Sequence, residues 1–205
     1  MVILNTHMQL SVVQSLHDQH YIHRDIKPEN FMIRDDNLHP TVFLIDFGLA
    51  RLYRNPATCL HIPSTMNHSI IGTLTFASIN SQQGDSQLCH DDLESLTYTI
   101  IYSALGDLPW ANDSIHKDEK AVLCKKISIT AKELCEGLPA PFCKFVMHVH
   151  SLGFNEKLDY QHLHSILSQC LEIVTEEPIK AAPLYTFSDA SVESMSCASI
   201  VTGHV

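Results

Sequence analysis

A mainly α-helical domain with one short β segment is the fold class that this 205-residue sequence predicts. Three observations point to it. Apolar residues recur at helical spacing in several stretches, one compact run is rich in β-branched and aromatic residues, and 45% of the chain is apolar, enough to bury one sizeable core. Little length remains for a second core.

Met8, Val12, Val13 and Leu16 fall at helical spacing and predict a helix over 8–17. The run "TVFLI", Thr41 to Ile45, predicts a strand that delivers Asp46 to its tip. Residues 46–80 are rich in turn formers and read as an ordered functional loop. From Asp92, "DLESLTYTIIYSAL" is apolar on three sides, starts acidic and closes at Gly106, which predicts a buried helix with a glycine stop. Helices are also predicted over 118–128 and 141–152. A last one covers 160–174, where Tyr160, Leu163, Ile166, Leu167, Cys170, Leu171 and Val174 share a face. Beyond it Ser, Ala, Pro and Glu dominate without a period, and residues 175–205 are predicted to form a disordered Ser-rich tail.

Composition narrows the function classes. A formal net charge of −10 argues against nucleic acid or an anionic membrane as the main partner, because both repel it. Seven cysteines are scattered, odd in number and free of any C-x-x-C pair, so neither a disulfide framework nor a zinc site is suggested. A reducing intracellular compartment, cytoplasm and/or nucleus, is expected. The start "MVILNTHMQLSVV" lacks a basic region and a small-residue cleavage site, and no apolar run approaches a membrane span, so no targeting or membrane segment is expected. His148/His150 and His162/His164 are two apart on predicted helices and point to different sides, which argues against metal binding.

Phosphoryl transfer asks little covalent chemistry of a protein. It needs carboxylates to hold metal, a group to orient the attacking hydroxyl, and cations around the moving phosphoryl. "YIHRDIKPENF", Tyr21 to Phe31, followed by "DFG" at Asp46 to Gly48, supplies several of these. In that pattern Asp25 accepts the substrate hydroxyl proton, Lys27 approaches the γ-phosphate, Asn30 holds one Mg²⁺ and Asp46 the other. His23-Arg24-Asp25 alone recurs by chance in surface turns. Its ordered combination with Lys27-Pro28, Asn30 and Asp46-Phe47-Gly48 behind a strand does not.

These and further motifs make the chain resemble the C-terminal lobe of a casein kinase I family Ser/Thr protein kinase. The marks are "HIP" at His61 to Pro63, Gly72-Thr73 with "ASIN" at Ala77 to Asn80, "DDLESL" at Asp91 to Leu96, "LPW" at Leu108 to Trp110, and "DY" at Asp159-Tyr160. They run without large gaps from about Leu10 to Leu171. The resemblance implies a kinase C-lobe-like helical domain over residues 1–174, with its β segment at the catalytic cleft. It implies ATP and Mg²⁺ as cofactors and proteins as substrates. It also implies that Thr73 hydrogen-bonds near Asp25 and Lys27, that Met32 floors the adenine pocket, and that Asp92 braces the catalytic-loop backbone. His23, Arg24, Phe47 and Gly48 join Asp92 as structural support. Plainer readings stand beside these: Met32 as core, Thr73 as a turn residue, Asp92 as a helix cap.

Departures from the family pattern carry expectations too. Thr75, His68 and Leu52 stand where the family has basic residues that bind an anion, so a preference for already phosphorylated substrates is expected to fall. Cys89-His90 replaces an Arg pair, Thr97 a Gly and Gly153 an Arg. No glycine precedes Gly48, and no glycine-rich loop, strand lysine or hinge is found upstream of Leu10. The N-terminal ATP-binding lobe is therefore expected to be missing, and the isolated chain to be weak or inactive. An upper face including Met32 and Phe47 is expected to be apolar and exposed, awaiting a covering partner. Three readings follow: a truncated or complemented kinase, a non-catalytic pseudokinase-like binding module, or a gene fragment. Ser188, Ser191 and Ser194 are three apart and Ser196 lies three after Glu193, which the resemblance marks as the spacing of family phosphorylation targets and which chance in a Ser-rich tail also produces.

Overall fold

The computed structural model describes residues 2–34, 40–62, 70–111, 117–153, 156–176 and 201–202. Among them are helices α1 (Val2–Asp18), α2 (Ile79–Gln83), α3 (Cys89–Leu105), α4 (Glu119–Ser128), α5 (Ala131–Leu134), α6 (Ala140–Ser151) and α7 (Tyr160–Glu176). Strands β1 (Tyr21–Ile22), β2 (Phe31–Arg34), β3 (Thr41–Leu44), β4 (Arg51–Leu52) and β5 (Val201–Thr202) complete the set. The fold is mainly α with a few short strands, the class that the sequence predicts.

α1 buries Leu10, Val12, Val13 and Leu16. It starts before the predicted segment because its buried face continues through Asn5 and Thr6, polar residues that an apolar pattern does not register. α3 is the central element: every residue from Cys89 to Ile101 is buried, and it packs against α1 and α6. It starts three residues before Asp92. The Asp91 carboxylate accepts from the Leu88 amide at 2.7 Å and from the Ser78 hydroxyl at 2.7 Å, which extends the first turn. Thr97, fully buried in this helix, donates its hydroxyl to the Leu93 carbonyl at 2.9 Å. Gly106, at φ +82°, ends the helix as the pattern predicts, its amide bonding Tyr102 O at 2.8 Å.

α4 begins at Asp118, whose carboxylate accepts from the amides of Lys120 and Ala121. α6 and α7 bury Phe145, Val146, Leu163, Ile166 and Leu167, and α7 lies across α1 and α6. The histidines two apart do part company: His162 meets His148 edge-on at 5.0 Å, whereas His164 stacks on His7 of α1. α2 and α5 were not predicted. Each is about one turn long and rests on a local cap, Ser78 for one and the Thr130/Glu133 capping box for the other.

β2 and β3 form an antiparallel hairpin with Phe31 opposite Leu44, and β3 rests on α1. β1 and β4 pair antiparallel, Tyr21 opposite Leu52. β5 lines the other edge of β3, Leu44 opposite Val201. The rest of the predicted tail, including Ser188 to Ser196, lies outside the described residues, as do Pro63 and His68. Cys59, Cys89, Cys124, Cys135, Cys143 and Cys170 carry free thiols.

Candidate active site

Two hairpin-like pairings bring the catalytic motifs together. The β1·β4 pair ties the approach to His23 to the segment that follows Gly48. The β2·β3 register sets Asn30 and Asp46 at one end of the hairpin, where the Ile45 amide donates to Asn30 O at 3.0 Å. Between them the chain turns through Arg24 at φ +70°, a left-handed conformation that a non-glycine residue holds only when its surroundings over-determine it. Asp92, at the start of α3, does so. Its carboxylate accepts from the His23 amide at 2.6 Å, the Arg24 amide at 2.9 Å and His17 Nε2 at 3.0 Å. The Arg24 guanidinium donates through Nε to Leu49 O at 2.6 Å, closing the turn from outside.

The brace is a buried ion pair. Burial pushes the Asp92 carboxyl up, but the hydrogen bonds and charge of His17 and the His23 amide outweigh it and hold Asp92 below the usual aspartate range. Burial likewise acts against the His17 imidazolium, while Cys89 and Asp92 favour it and raise its pKa to about 10. His17 Nδ1 also meets the Tyr160 hydroxyl, so α1, α3 and α7 converge on this point.

Asp25 is buried beneath a fence of donors. Lys27 Nζ reaches Oδ2 at 2.8 Å, while the Thr73 amide and hydroxyl both reach Oδ1 at 2.8 Å. Lys27 Nζ also donates to Thr73 Oγ1 at 3.0 Å, so the three side chains form a closed triangle. Burial pushes the Asp25 carboxyl up; the bonds from Lys27 and Thr73 prevail and hold it below the usual range, ionised at neutral pH. Asn30 Nδ2 donates to Asp25 O at 2.8 Å, which leaves the acceptor end of that amide to meet a cation. His23 bridges two segments: Nε2 reaches Ile45 O at 3.0 Å and Nδ1 accepts from the Asp25 amide at 3.3 Å.

Asp46 caps a short 3-10 turn at Phe47–Leu49 from a left-handed conformation, φ +64°, and is exposed. Its Oδ1 takes a long bond, 3.3 Å, from the Gly48 amide. Among the described residues no group of three or more His, Cys, Asp or Glu side chains is placed to hold a metal ion. Mg²⁺ asks for less, one or two protein oxygens with water and phosphate completing the octahedron, and the hard oxygens of Asn30 and Asp46 at one hairpin end fit that demand. Phe47 is half-buried, its ring edge-on to His23 at 5.3 Å, so it is less exposed than expected; Met32, at 53%, and Ile33, at 43%, stand out into solvent.

The segment 71–78 carries Thr73 to Asp25 along a constrained path. A Cβ at Gly72 would lie 2.4 Å from Arg24 O, so only glycine permits this approach. Its carbonyls are held from beneath: Trp110 Nε1 donates to Thr75 O at 2.8 Å and Lys126 Nζ to Leu74 O and Ala77 O at 3.0 and 2.6 Å. Sequence reasoning missed Lys126, because a lysine on a charged helix carries no sign of burial. It also missed Arg51, which lines a shallow depression with Arg24, Asp85 and Gln87.

The protein kinase domain model matches residues 5–181. Casein kinase I homolog 2 of Schizosaccharomyces pombe is 40% identical over 179 residues, covering 83% of this chain and 40% of that protein. The chain belongs to the casein kinase I family of protein kinases. Casein kinase I homolog 3 of the same yeast is 36% identical over 169 residues, covering 80% of the chain and 38% of its own length. The chain thus spans about two fifths of the curated relatives it matches. Protein kinases use ATP and Mg²⁺ and act on proteins. Among the described residues no helix is long and apolar enough to cross a membrane.

Proposed function

We propose that these residues form the lower half of the active site of a Ser/Thr protein kinase of casein kinase I type, which transfers the γ-phosphoryl group of ATP to a protein hydroxyl. The observation that carries this reading is the Asp25–Lys27–Thr73 triangle, which presents an ionised carboxylate beside a fixed ammonium. As the substrate oxygen bonds to the γ-phosphorus and the bond to the β-bridging oxygen breaks, Asp25 takes the hydroxyl proton and ADP leaves. Lys27 faces the charge on the moving phosphoryl. Thr73 fixes which Asp25 oxygen stays turned to the substrate. Asn30 and Asp46 would hold Mg²⁺, which neutralises phosphate charge when bound. Met32 would floor the adenine.

The exposed Met32, Ile33 and Leu49 support a second layer of polypeptide over this face, in the same protein or a partner. Without it, losing two charge-assisted contacts to the nucleotide weakens binding by on the order of 10² to 10⁴. A binding module lacking catalysis is the reading to which the same exposed face lends itself if no such layer exists. The free thiols support a reducing intracellular setting. Calorimetric titration of the 205-residue chain with Mg²⁺-ATP, repeated with Asp46→Asn, tests the site. Weak binding that vanishes in the variant is expected; equal heats in both, or none in either, remove the metal–nucleotide reading and leave the binding module.

A further inference from the structure

Lys126 is 2% exposed, although it lies on α4, a helix whose other lysines, Lys120 and Lys125, are exposed. Its ammonium sits 5.0 Å from the Tyr98 ring centre and 5.2 Å from that of Trp110, between two aromatic faces. From there it donates to the carbonyls of Leu74 and Ala77. Those carbonyls flank Thr75, whose own carbonyl takes the Trp110 indole. Thr73 O is in turn fixed by the amides of Phe76 and Ala77, at 2.9 and 2.8 Å. A one-turn segment is thereby fastened from below at Leu74, Thr75 and Ala77, while its upper end carries Thr73 onto Asp25.

We infer that Lys126 is a positioning residue of the active site: it holds segment 72–78 so that the Thr73 amide and hydroxyl stay on the Asp25 carboxylate. The inference rests on the kinase reading for its meaning, but it concerns a geometry that can be measured without any phosphoryl transfer. Gln82 Nε2 reaches the same two carbonyls at 3.2 and 3.3 Å, bonds short enough to assist and too long to replace an ammonium at 2.6 Å. Burial pulls the Lys126 pKa down to about 7, with Glu94 raising it in part; the neutral amine still has two hydrogens for two carbonyls. The opposing charge is Glu94 of α3, whose carboxylate accepts from the Tyr98 hydroxyl at 2.6 Å and the Ile79 amide at 3.0 Å, so it stays with its own partners and leaves Lys126 to the loop.

The test is a carboxyl ¹³C titration of Asp25, with amide exchange of Thr73, Phe76 and Ala77, on the folded 205-residue chain. Lys126→Met keeps the aliphatic stem and removes the donors. It is expected to raise the Asp25 pKa and to speed exchange at the three amides roughly tenfold, the equivalent of losing one to two hydrogen bonds. Lys126→Arg, which can fork to two carbonyls and stack on an aromatic ring, is expected to restore both. Thr73→Val should raise the Asp25 pKa by removing the hydroxyl donor. Combined with Lys126→Met it should raise it by less than the sum, since both act through Thr73. A folded Lys126→Met with unchanged Asp25 titration and loop exchange overturns the inference, and so does full additivity with Thr73→Val. If Lys126→Met does not fold, Lys126→Gln, which keeps one donor, is judged by the same criteria. A wild-type chain that binds no Mg²⁺-ATP while these shifts are intact would count against the kinase reading alone.

Discussion

Gly72 and Asp25 show how much rests on single positions. Gly72 has a φ of +94° and approaches Arg24 O so closely that a methyl group there has no place to go. Gly72→Ala is expected to displace Thr73 from Asp25 and to destabilise the chain by about 1–3 kcal/mol, read from urea unfolding. An unchanged midpoint would show that the loop yields without loss. For Asp25, the bonds from Lys27 and Thr73 lower the folded-state pKa beneath the ordinary 3.8. Their stabilisation is therefore complete above that value and is lost as pH falls through the folded-state pKa. Lys27→Met is expected to move the Asp25 titration upward, a shift visible in the same carboxyl spectrum. Much of this was legible through the family resemblance: the motif that holds Asp25, Lys27 and Asn30, with Gly72-Thr73 downstream, implies that Thr73 meets Asp25 and Lys27. Lys126 and Arg51 were not, because burial and convergence arise from tertiary packing and leave no mark in local sequence.

At the scale of elements, α1 and α3 are clasped by His17 and Asp92. The folded-state pKa of His17, about 10, lies above its ordinary 6.5, so its contribution is full below pH 6.5 and fades as pH climbs toward 10. Asp92 has the opposite sign, its contribution present above pH 3.8 and lost as pH falls through its lowered folded-state value. Thermal midpoints from this pair are expected to plateau between about pH 4 and 6.5 and decline on either side. Asp92→Asn should flatten the alkaline limb and cost about 3–5 kcal/mol, since it leaves a buried charge without its partner. A variant with an unaltered pH profile would show that the clasp does not control stability. Helix α4 offers a smaller test: Asp118→Ala removes two capping bonds and is expected to cost about 1 kcal/mol. The long helices were readable because their apolar faces repeat over several turns. α2 and α5 are too short to repeat, and the early start of α3 depends on Asp91 reaching Leu88, a contact that polarity alone disguises.

The molecule as a whole is a helical base that turns apolar side chains of β2 outward. Met32 and Ile33 sit side by side on β2, where alternation should have buried one of them, so both faces of this short strand meet solvent. Met32→Ser with Ile33→Ser is expected to reduce binding of a hydrophobic dye and self-association of the 205-residue chain, with stability changed by no more than about 0.5 kcal/mol. Undiminished dye binding would place the sticky surface elsewhere. The fold class and the order of its helices were legible from periodicity, and the exposed edge from the motif frame. The half-buried setting of Phe47 was not, because its neighbour is His23, twenty-four residues away in sequence. That same imidazole has a mechanical role. It touches the residue before Asp46 with one nitrogen and the amide of Asp25 with the other, so its ring width acts as a gauge for the gap between them. A rigid aromatic ring cannot be compressed, so it works as a spacer between the segment that carries Asp25 and the one that leads into Asp46.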